Sequence, residues 1–528
     1  MSHHHSQHCH CCPQVSDSQK DRQSWDLSRR MFLGAMAAGG ALLSHLGWSA
    51  LAATSEEIEI PVPPARKPLT VCPILAYDHY IRQEMTSWRG WGGVTTPEDA
   101  EKEVLAIGDE LEKIRKDADY PVEFEPVITV NDVNQAKEHP SIAKADVLVV
   151  YGAGGAVNGI QNFGKDVIIF QRWKSGPVYL QYEIVSPRLL RQHTDRLALD
   201  NIRYDDIVTD SLDELNWRLR ALCGLKNTKN SRILCIGAPD AWAQGAESQK
   251  ILFDNLKKQW NLDIQSIPYD QLGELLAGAQ ADEKVVQWSR EKAEEYIRIP
   301  NTTVDKDVTM ESIANCFILE YIFCKLMKEA DCKAITVLGC MTTIIPQAKT
   351  TACLTLSLLN DAGYLAFCES DFAVIPSGIL LANITGKPVF LNDPTYPHDH
   401  IITLAHCTAP RKLNGETLAP TQVVTHYESD FGAAPKIEFA LNQTGTAIIP
   451  DFHSVRWAGC TGKVVDNPFR PICRCQFDFQ YNVPDLVLAE RMIGFHWMFC
   501  YGDFTKELGY VLRRVGIEWD NLENAPLT

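Results

Sequence analysis

Three stretches of this chain place, beside a strand end, side chains that can bind a metal ion or move a proton. In "LAFCESDF" the run Leu365–Cys368 is followed by Glu369 and Asp371. In "ITLAHC" the run ends on His406. In "GFHWMFCYGD" His496 sits among bulky apolar residues, with Asp503 seven positions on. Carboxylate and imidazole together suit a divalent cation such as manganese, zinc or iron, and a carboxylate-rich set leans to manganese. Paired carboxylates also serve as general acid and base. Each stretch has a plainer account. A lone histidine among apolar residues is often a hydrogen-bonded core residue. An acid at a strand end often caps a turn or helix, as Asp371 would before "FAVIPSGILLANI". The case for a site rests on the three stretches together.

Such side chains need strand ends to hold them, and the sequence provides these in a regular order. "LTVCPILA" (69–76) predicts a strand. "TPEDAEKEVLAIGDELEKIRK" (96–116) predicts a helix, with Thr96 as N-cap, Pro97 at the first helical position and Glu98-Asp99 in the first turn. "VEFEPV", "ADVLVVYGAGG" and "KDVIIFQR" continue the strands. The glycine loop Gly152–Gly155 lacks a dinucleotide-binding fingerprint and predicts a tight turn. A second alternating block starts at "SRILCIGAPDAW" (231–242). It runs through helical patterns at 280–298 and 310–330 to the strand "KAITVLGC" (333–340). Beyond residue 380 come short β-runs: "KPVFLND", "IITLAHC", "TQVVTHYE", "KIEFALN", "GTAIIPDF" and "GKVVDN". They predict an antiparallel sandwich or barrel, closed by a helical tail, "KELGYVLRRVGIEW". The fold class predicted is therefore α/β. Two doubly wound parallel-sheet domains (69–225 and 226–372) precede an antiparallel β-rich C-terminal domain (373–528).

At 528 residues the chain is long enough for about two to four domains. Its 45% apolar and 22% charged residues match a folded soluble protein. A net charge of −17 argues against a nucleic-acid partner, which needs basic surface. After the first ~50 residues no run is long enough to span a membrane. Those first residues include "SRRMFLGAMAAGGALLSHLGWSALAA". Arg29 and Arg30 precede a short Ala/Gly-rich apolar segment that ends at Ala50-Leu51-Ala52. This resembles a twin-arginine export signal over 1–53, followed by a Pro-rich linker at 54–68. A membrane anchor fits less well, because Gly, Ser and His45 interrupt the run. The signal implies the twin-arginine export machinery as a partner and a periplasmic or other extracytoplasmic location. It also implies export of a chain already folded and loaded with any metal. "MSHHHSQHCHCC", upstream, has a metal-binding composition but lies in the part that would be removed. Of seventeen cysteines, Cys9, Cys11 and Cys12 precede the signal. The others are scattered, mostly in apolar contexts, and predict reduced core residues. Past the signal no CxxC spacing occurs, so the sequence carries no zinc-finger pattern.

"CESDFAVIPSGILLANITGKPVFLNDPTYPHDHIITLAHCTAP" and the later "GFHWMFCYGD" resemble motifs of the L-fucose/L-arabinose isomerase superfamily. An acidic motif ends a strand and opens a helix. A G-x-P-x-F strand, an acidic turn, a strand ending "HC" and a late histidine follow. The motifs cover roughly the last third of the chain, and the rest matches in layout only. The resemblance implies a divalent metal held by Glu369, Asp371, His406 and His496. It implies symmetric homo-oligomers with active sites at subunit interfaces and a small carbohydrate or polyol as substrate. It also implies aldose–ketose isomerisation through an ene-diol, with Glu369 and Asp371 as the catalytic acid and base. One departure stands out. The family draws a second carboxylate from the helix before the acidic strand, and here that helix, "KTTACLTLSLLND", offers Cys353 or a threonine. Glu369 is then the substitute, since strand alternation would put Glu369 and Asp371 on one face. The departure keeps two other functions open. One is a metal-dependent lyase, epimerase or hydrolase acting on a carbohydrate derivative. The other is a non-catalytic carbohydrate-binding protein. For a sugar pocket, "SWRGWGG" (87–93) follows the first strand. Trp88 and Trp91 are candidate stacking faces and Arg89 a candidate hydroxyl or carboxylate ligand. A plain Arg/Trp packing cluster is the equal alternative.

Overall fold

In the computed structural model, which describes residues 58–180, 202–242 and 245–524, the strand–helix alternation builds two parallel sheets. The signal region 1–53 lies outside the described residues. The first sheet takes β1 (Leu69–Ala76), β2 (Val122–Phe124), β3 (Ile128–Val130), β4 (Val147–Gly152), β5 (Asp166–Gln171) and β6 (Ile207–Thr209). Its order is β2-β1-β4-β5-β6, with β3 pairing the second half of β1. β1 and β4 are apolar and almost wholly buried, as strands covered on both faces must be. The helix Pro97–Asp117 opens with a capping box. The Thr96 side chain accepts from the Asp99 N–H, and the Asp99 carboxylate accepts from the Thr96 N–H. The loop Gly152–Gly155 is the predicted turn. A Cβ on Gly155 would stand 2.5 Å from the Asn131 carbonyl oxygen, so only glycine allows this approach.

Next come β7 (Arg232–Ile236), β8 (Asp263–Ile267), β9 (Thr302–Val304), β10 (Ala334–Val337) and β11 (Leu365–Cys368). All but β9 form the second sheet, parallel throughout, in the order β11-β10-β7-β8. The remaining strands are β12 (Phe390–Pro394), β13 (Ile401–His406), β14 (Thr421–Val424), β15 (Ala434–Ile437), β16 (Thr444–Pro450), β17 (Arg456–Asp466), β18 (Cys475–Tyr481), β19 (Trp497–Tyr501) and β20 (Glu518–Asn521). Six of them run antiparallel in the order β16-β19-β12-β13-β18-β17, and β17 pairs back onto β16. The ring is closed, so the C-terminal region is a six-stranded barrel. Its interior is aromatic: Phe477 meets Phe439 at 4.5 Å and Phe499 at 4.6 Å between ring centroids. The chain is thus mixed α/β, with two parallel sheets and a C-terminal antiparallel barrel.

Some local expectations change. "TQVVTHYE" and "KIEFALN" supply β14 and β15, which leave the barrel and join β9 in a small mixed sheet. The helical tail is α-helical over Thr505–Leu512 and ends in a 3-10 turn over Arg513–Val515. Gly516 turns the chain at φ 76°, and β20 then adds to β17 in parallel, with Trp519 lying over Gly459. No helix of the described residues is long and apolar enough to cross a membrane.

One helix connects β11 to the barrel. Ile375–Thr385, "IPSGILLANIT", is buried along its whole length, as a helix apolar on every side must be. Its Gly378 lies against Phe367 of β11 and Met498 of β19, and its Ile384 lies against Gly224. The hydrophobic core therefore runs without a break from Phe367 to Met498. It holds the end of β11 against one rim of the barrel. The turn before β19 is equally tight: a Cβ on Gly494 would stand 1.8 Å from the Pro450 carbonyl oxygen. Gly494→Ala must push that turn off β16. We expect a loss of about 1–3 kcal/mol, read as a lower urea midpoint at unchanged slope.

Candidate metal centre

β11 stops at Cys368. Glu369 and Ser370 then take left-handed backbone conformations, with φ of 66° and 48°. Two such residues in a row cost on the order of 1–3 kcal/mol each unless the surroundings hold them. Here they are held. Ser370 is fully buried and its N–H donates to Thr336 Oγ1 at 3.1 Å. Its carbonyl accepts from the Asp240 N–H, and the Phe372 N–H donates to the Asp240 carbonyl. The alternation of strand faces thus ends at Cys368 and does not set the directions of Glu369 and Asp371.

The barrel brings three more groups to this turn. In the strand register Asn392 pairs with Trp497, and Asp393 pairs with Ala405. Continued by one residue, that register sets Asp393 opposite His496 and one rung from His406. His496 Nε2 lies 3.2 Å from Asp393 Oδ1 and 3.3 Å from Glu369 Oε2. His406 Nε2 lies 3.7 Å from Glu369 Oε1. Donor atoms of Asp393, His406 and His496 all fall within 4.8 Å of one another.

The decisive feature is what these atoms lack. Glu369 Oε2, Asp393 Oδ1, His406 Nε2 and His496 Nε2 are all sealed from solvent, and none makes a hydrogen bond. An unsatisfied buried polar atom costs about 1–3 kcal/mol, more if charged, so four in one place call for a common partner. Two carboxylates and two imidazoles fit a divalent cation of the manganese, iron or zinc type.

Asp371 has a different place. Its Oδ2 accepts from His496 Nδ1 at 2.7 Å, and its Oδ1 accepts from the Ala373 N–H at 3.0 Å. It caps the turn, as one sequence account expected, and it stands behind His496. A carboxylate there fixes the tautomer and aims the Nε2 lone pair at the centre. Trp242 closes one side. It stacks on Phe495 at 4.3 Å and meets His496 edge-on at 5.5 Å, and its Nε1–H is buried without a partner.

No protein-family model matches this chain, and no curated protein matches it. Of the sequence candidates, Glu369, His406 and His496 converge, and Asp371 reaches the centre through His496. Trp88, Arg89 and Trp91 lie in the loop between β1 and the helix Pro97–Asp117, on the first sheet. Arg89 there sits over the Trp88 ring at 5.4 Å, and Trp91 is exposed. Asp503 accepts from Thr505 at the start of the last helix. The residue that sequence reasoning missed is Asp393. "VFLND" follows the same rule as "LAFCESD", an apolar run ending on an acid. Asp393 is the carboxylate that the barrel sets in this cluster with Glu369, His406 and His496.

Burial pushes the Asp393 carboxyl up to about 6, against the pull of His496 and His406. Burial alone would lower His496, but Asp393, Asp371 and Glu369 outweigh it and hold the imidazole well above its usual value. Both shifts have one sign. The metal-free fold binds these protons more tightly than the unfolded chain. Their stabilisation is full at low pH and is lost as pH rises through about 6 for Asp393, and higher for His496. A cation must displace the same protons. We expect the affinity for Mn²⁺ to rise with pH, most steeply below about 6, where Asp393 still holds its proton, and less steeply above it, where His496 does, with net proton release. Calorimetry in buffers of different ionisation enthalpy measures that release, and affinity independent of pH contradicts it.

Proposed function

We propose that this chain is a metal-dependent enzyme of the sugar isomerase type, acting on an aldose or a related polyhydroxy compound. The observation that carries this is the convergence of four sealed donor atoms from Glu369, Asp393, His406 and His496, whose charged contacts are with one another and which make no well-formed hydrogen bond. A bound divalent cation supplies Lewis-acid polarisation of two neighbouring substrate oxygens. Glu369 and Asp393 are the paired carboxylates for moving a proton between C1 and C2 through an ene-diol. Asp393 thus takes the place in that pair expected of Asp371. Asp371 orients His496 and touches no substrate. Trp242, stacked on Phe495 beside His496, offers a flat face and an unpaired N–H for a sugar hydroxyl. Trp88, Arg89 and Trp91 enter this reading only through a neighbouring subunit of a homo-oligomer.

The same reading extends to the whole chain. The two parallel sheets are the doubly wound domains of the resemblance to L-fucose/L-arabinose isomerases. The twin-arginine signal at 1–53 delivers the folded, metal-loaded chain to the periplasm or another extracytoplasmic space. With a net charge of −17, it takes a small carbohydrate or polyol rather than nucleic acid.

The test is a panel of aldoses in deuterated water, with Mn²⁺, Zn²⁺ or Fe²⁺ supplied. We expect a ketose carrying deuterium next to the carbonyl. Glu369→Gln and Asp393→Asn should each lower kcat by roughly 10²–10⁴-fold. Turnover to any other product favours the lyase, epimerase or hydrolase reading. Thermal stabilisation by sugar without turnover favours a binding protein. A chain that takes up none of the three metals sinks the proposal.

A further inference from the structure

Behind His406 the fold gathers a second set of metal-competent side chains, which the carboxylate centre does not use. Cys407 follows His406 at the end of β13, and Cys353 opens the helix Cys353–Asp361. His426 lies just past β14, and Cys473 lies just before β18. The thiols of Cys353 and Cys407 and a ring nitrogen of His426 all fall within 4.8 Å of one another. The Cys407 thiol shares hydrogen bonds with both Cys353 and Cys473. Cys473 also packs on the small apolar cluster of Cys353, Cys407 and Ala434. Cys353, Cys407 and His426 are 3%, 5% and 5% exposed.

Most cysteines of this chain behave as the sequence predicts. Cys72 and Cys460, for example, are buried singly on sheet strands. Cys353, Cys407 and Cys473 differ, because they meet each other and an imidazole. A disulfide would use two of the thiols and leave the third and the imidazole unexplained, and no disulfide joins the described cysteines. Three sulfurs and one nitrogen are the donor set of a closed tetrahedral zinc site, with Zn–S of about 2.3 Å and Zn–N of about 2.0–2.1 Å. Cys353, Cys407 and His426 already stand within 4.8 Å of one another, and Cys473 joins them through its bond to Cys407. Softness separates the two centres: thiolates select zinc, whereas carboxylates and imidazoles suit manganese.

We propose that Cys353, Cys407, Cys473 and His426 bind a structural Zn²⁺ ion, distinct from the carboxylate centre and sharing its wall through the His406-Cys407 pair. The ion displaces the thiol protons to solvent and leaves no open position. It ties the helix Cys353–Asp361 to the ends of β13, β14 and β18. The Ser429 hydroxyl, 3.3 Å from His426 Nδ1, holds the imidazole ring. Cys407 Sγ lies 3.9 Å from His406 Nδ1, so the site also bears on the orientation of a ligand of the first centre.

The test loads the full chain with Co²⁺ and records its absorption spectrum, with native mass spectrometry of the zinc form to count ions. We expect a thiolate-to-cobalt charge-transfer band and one tightly held Zn²⁺ in the wild type. Both should be lost in Cys407→Ser and in His426→Ala. Both should persist in the Glu369→Gln/Asp393→Asn double variant, which keeps this result separate from the fate of the carboxylate centre. If Cys407→Ser fails to fold, the wild-type spectrum decides alone. Absence of the charge-transfer band in the wild type overturns the proposal. So does its loss in the carboxylate variant, or a disulfide among the three cysteines in zinc-replete protein.

Discussion

His496 Nδ1–H donates to Asp371 Oδ2 across 2.7 Å, and this bond joins the end of the second parallel sheet to the rim of the barrel. The site depends on that meeting. β11 alone delivers one free carboxylate, and the barrel alone delivers an aspartate and two histidines. Neither half could hold a cation with four protein donors. The buried helix Ile375–Thr385 is the physical link. It follows directly from the acidic turn, packs its glycine between Phe367 and Met498, and so fixes how far Glu369 stands from His496.

A second charged cluster shows why the unpartnered atoms matter. On the first sheet, Arg172 is 1% exposed and pairs with Glu103 and Glu110, with Tyr179 bonded to both Arg172 and Glu103. Every charge there has its partner inside the protein, so the cluster reads as a structural network. Such networks hold a fold in one arrangement without leaving room for a ligand. At Glu369, Asp393, His406 and His496 the charges are as close, yet four donor atoms have no hydrogen bond. Proximity of titratable groups is common to both clusters. What distinguishes a site from a brace is polar capacity left over after all protein partners are counted.

Glu369, His406 and His496 were legible because each borders an apolar run, and strand ends are a local signal. The α/β layout was legible for the same reason, since helix and strand periods are written within a few residues. The failures are all long-range. Asp393 ends "VFLND" as plainly as His406 ends "ITLAH", but only the register of β12 with β19 brings it to His496. The role of Asp371 turns on two left-handed residues that no residue type in "CESDF" announces. Barrel closure rests on β16 pairing with β17, and a sandwich reads the same in sequence. The thiol cluster draws on four segments between 353 and 473, so no spacing rule finds it.

The two imidazoles of the centre are supported unequally. Behind His496 stands a buried carboxylate that itself accepts a backbone N–H, so the ring is fixed by a short, charge-assisted bond. Behind His406 stands a sulfur at 3.9 Å, a far weaker acceptor while it remains a thiol. His406 must therefore owe more of its orientation to β13, which carries it and is paired along its full length with β18. A thiolate at Cys407 would accept from Nδ1 much more strongly and would serve His406 as Asp371 serves His496. Whatever holds Cys407 deprotonated thus acts on the first centre as well, through one peptide unit and one ring.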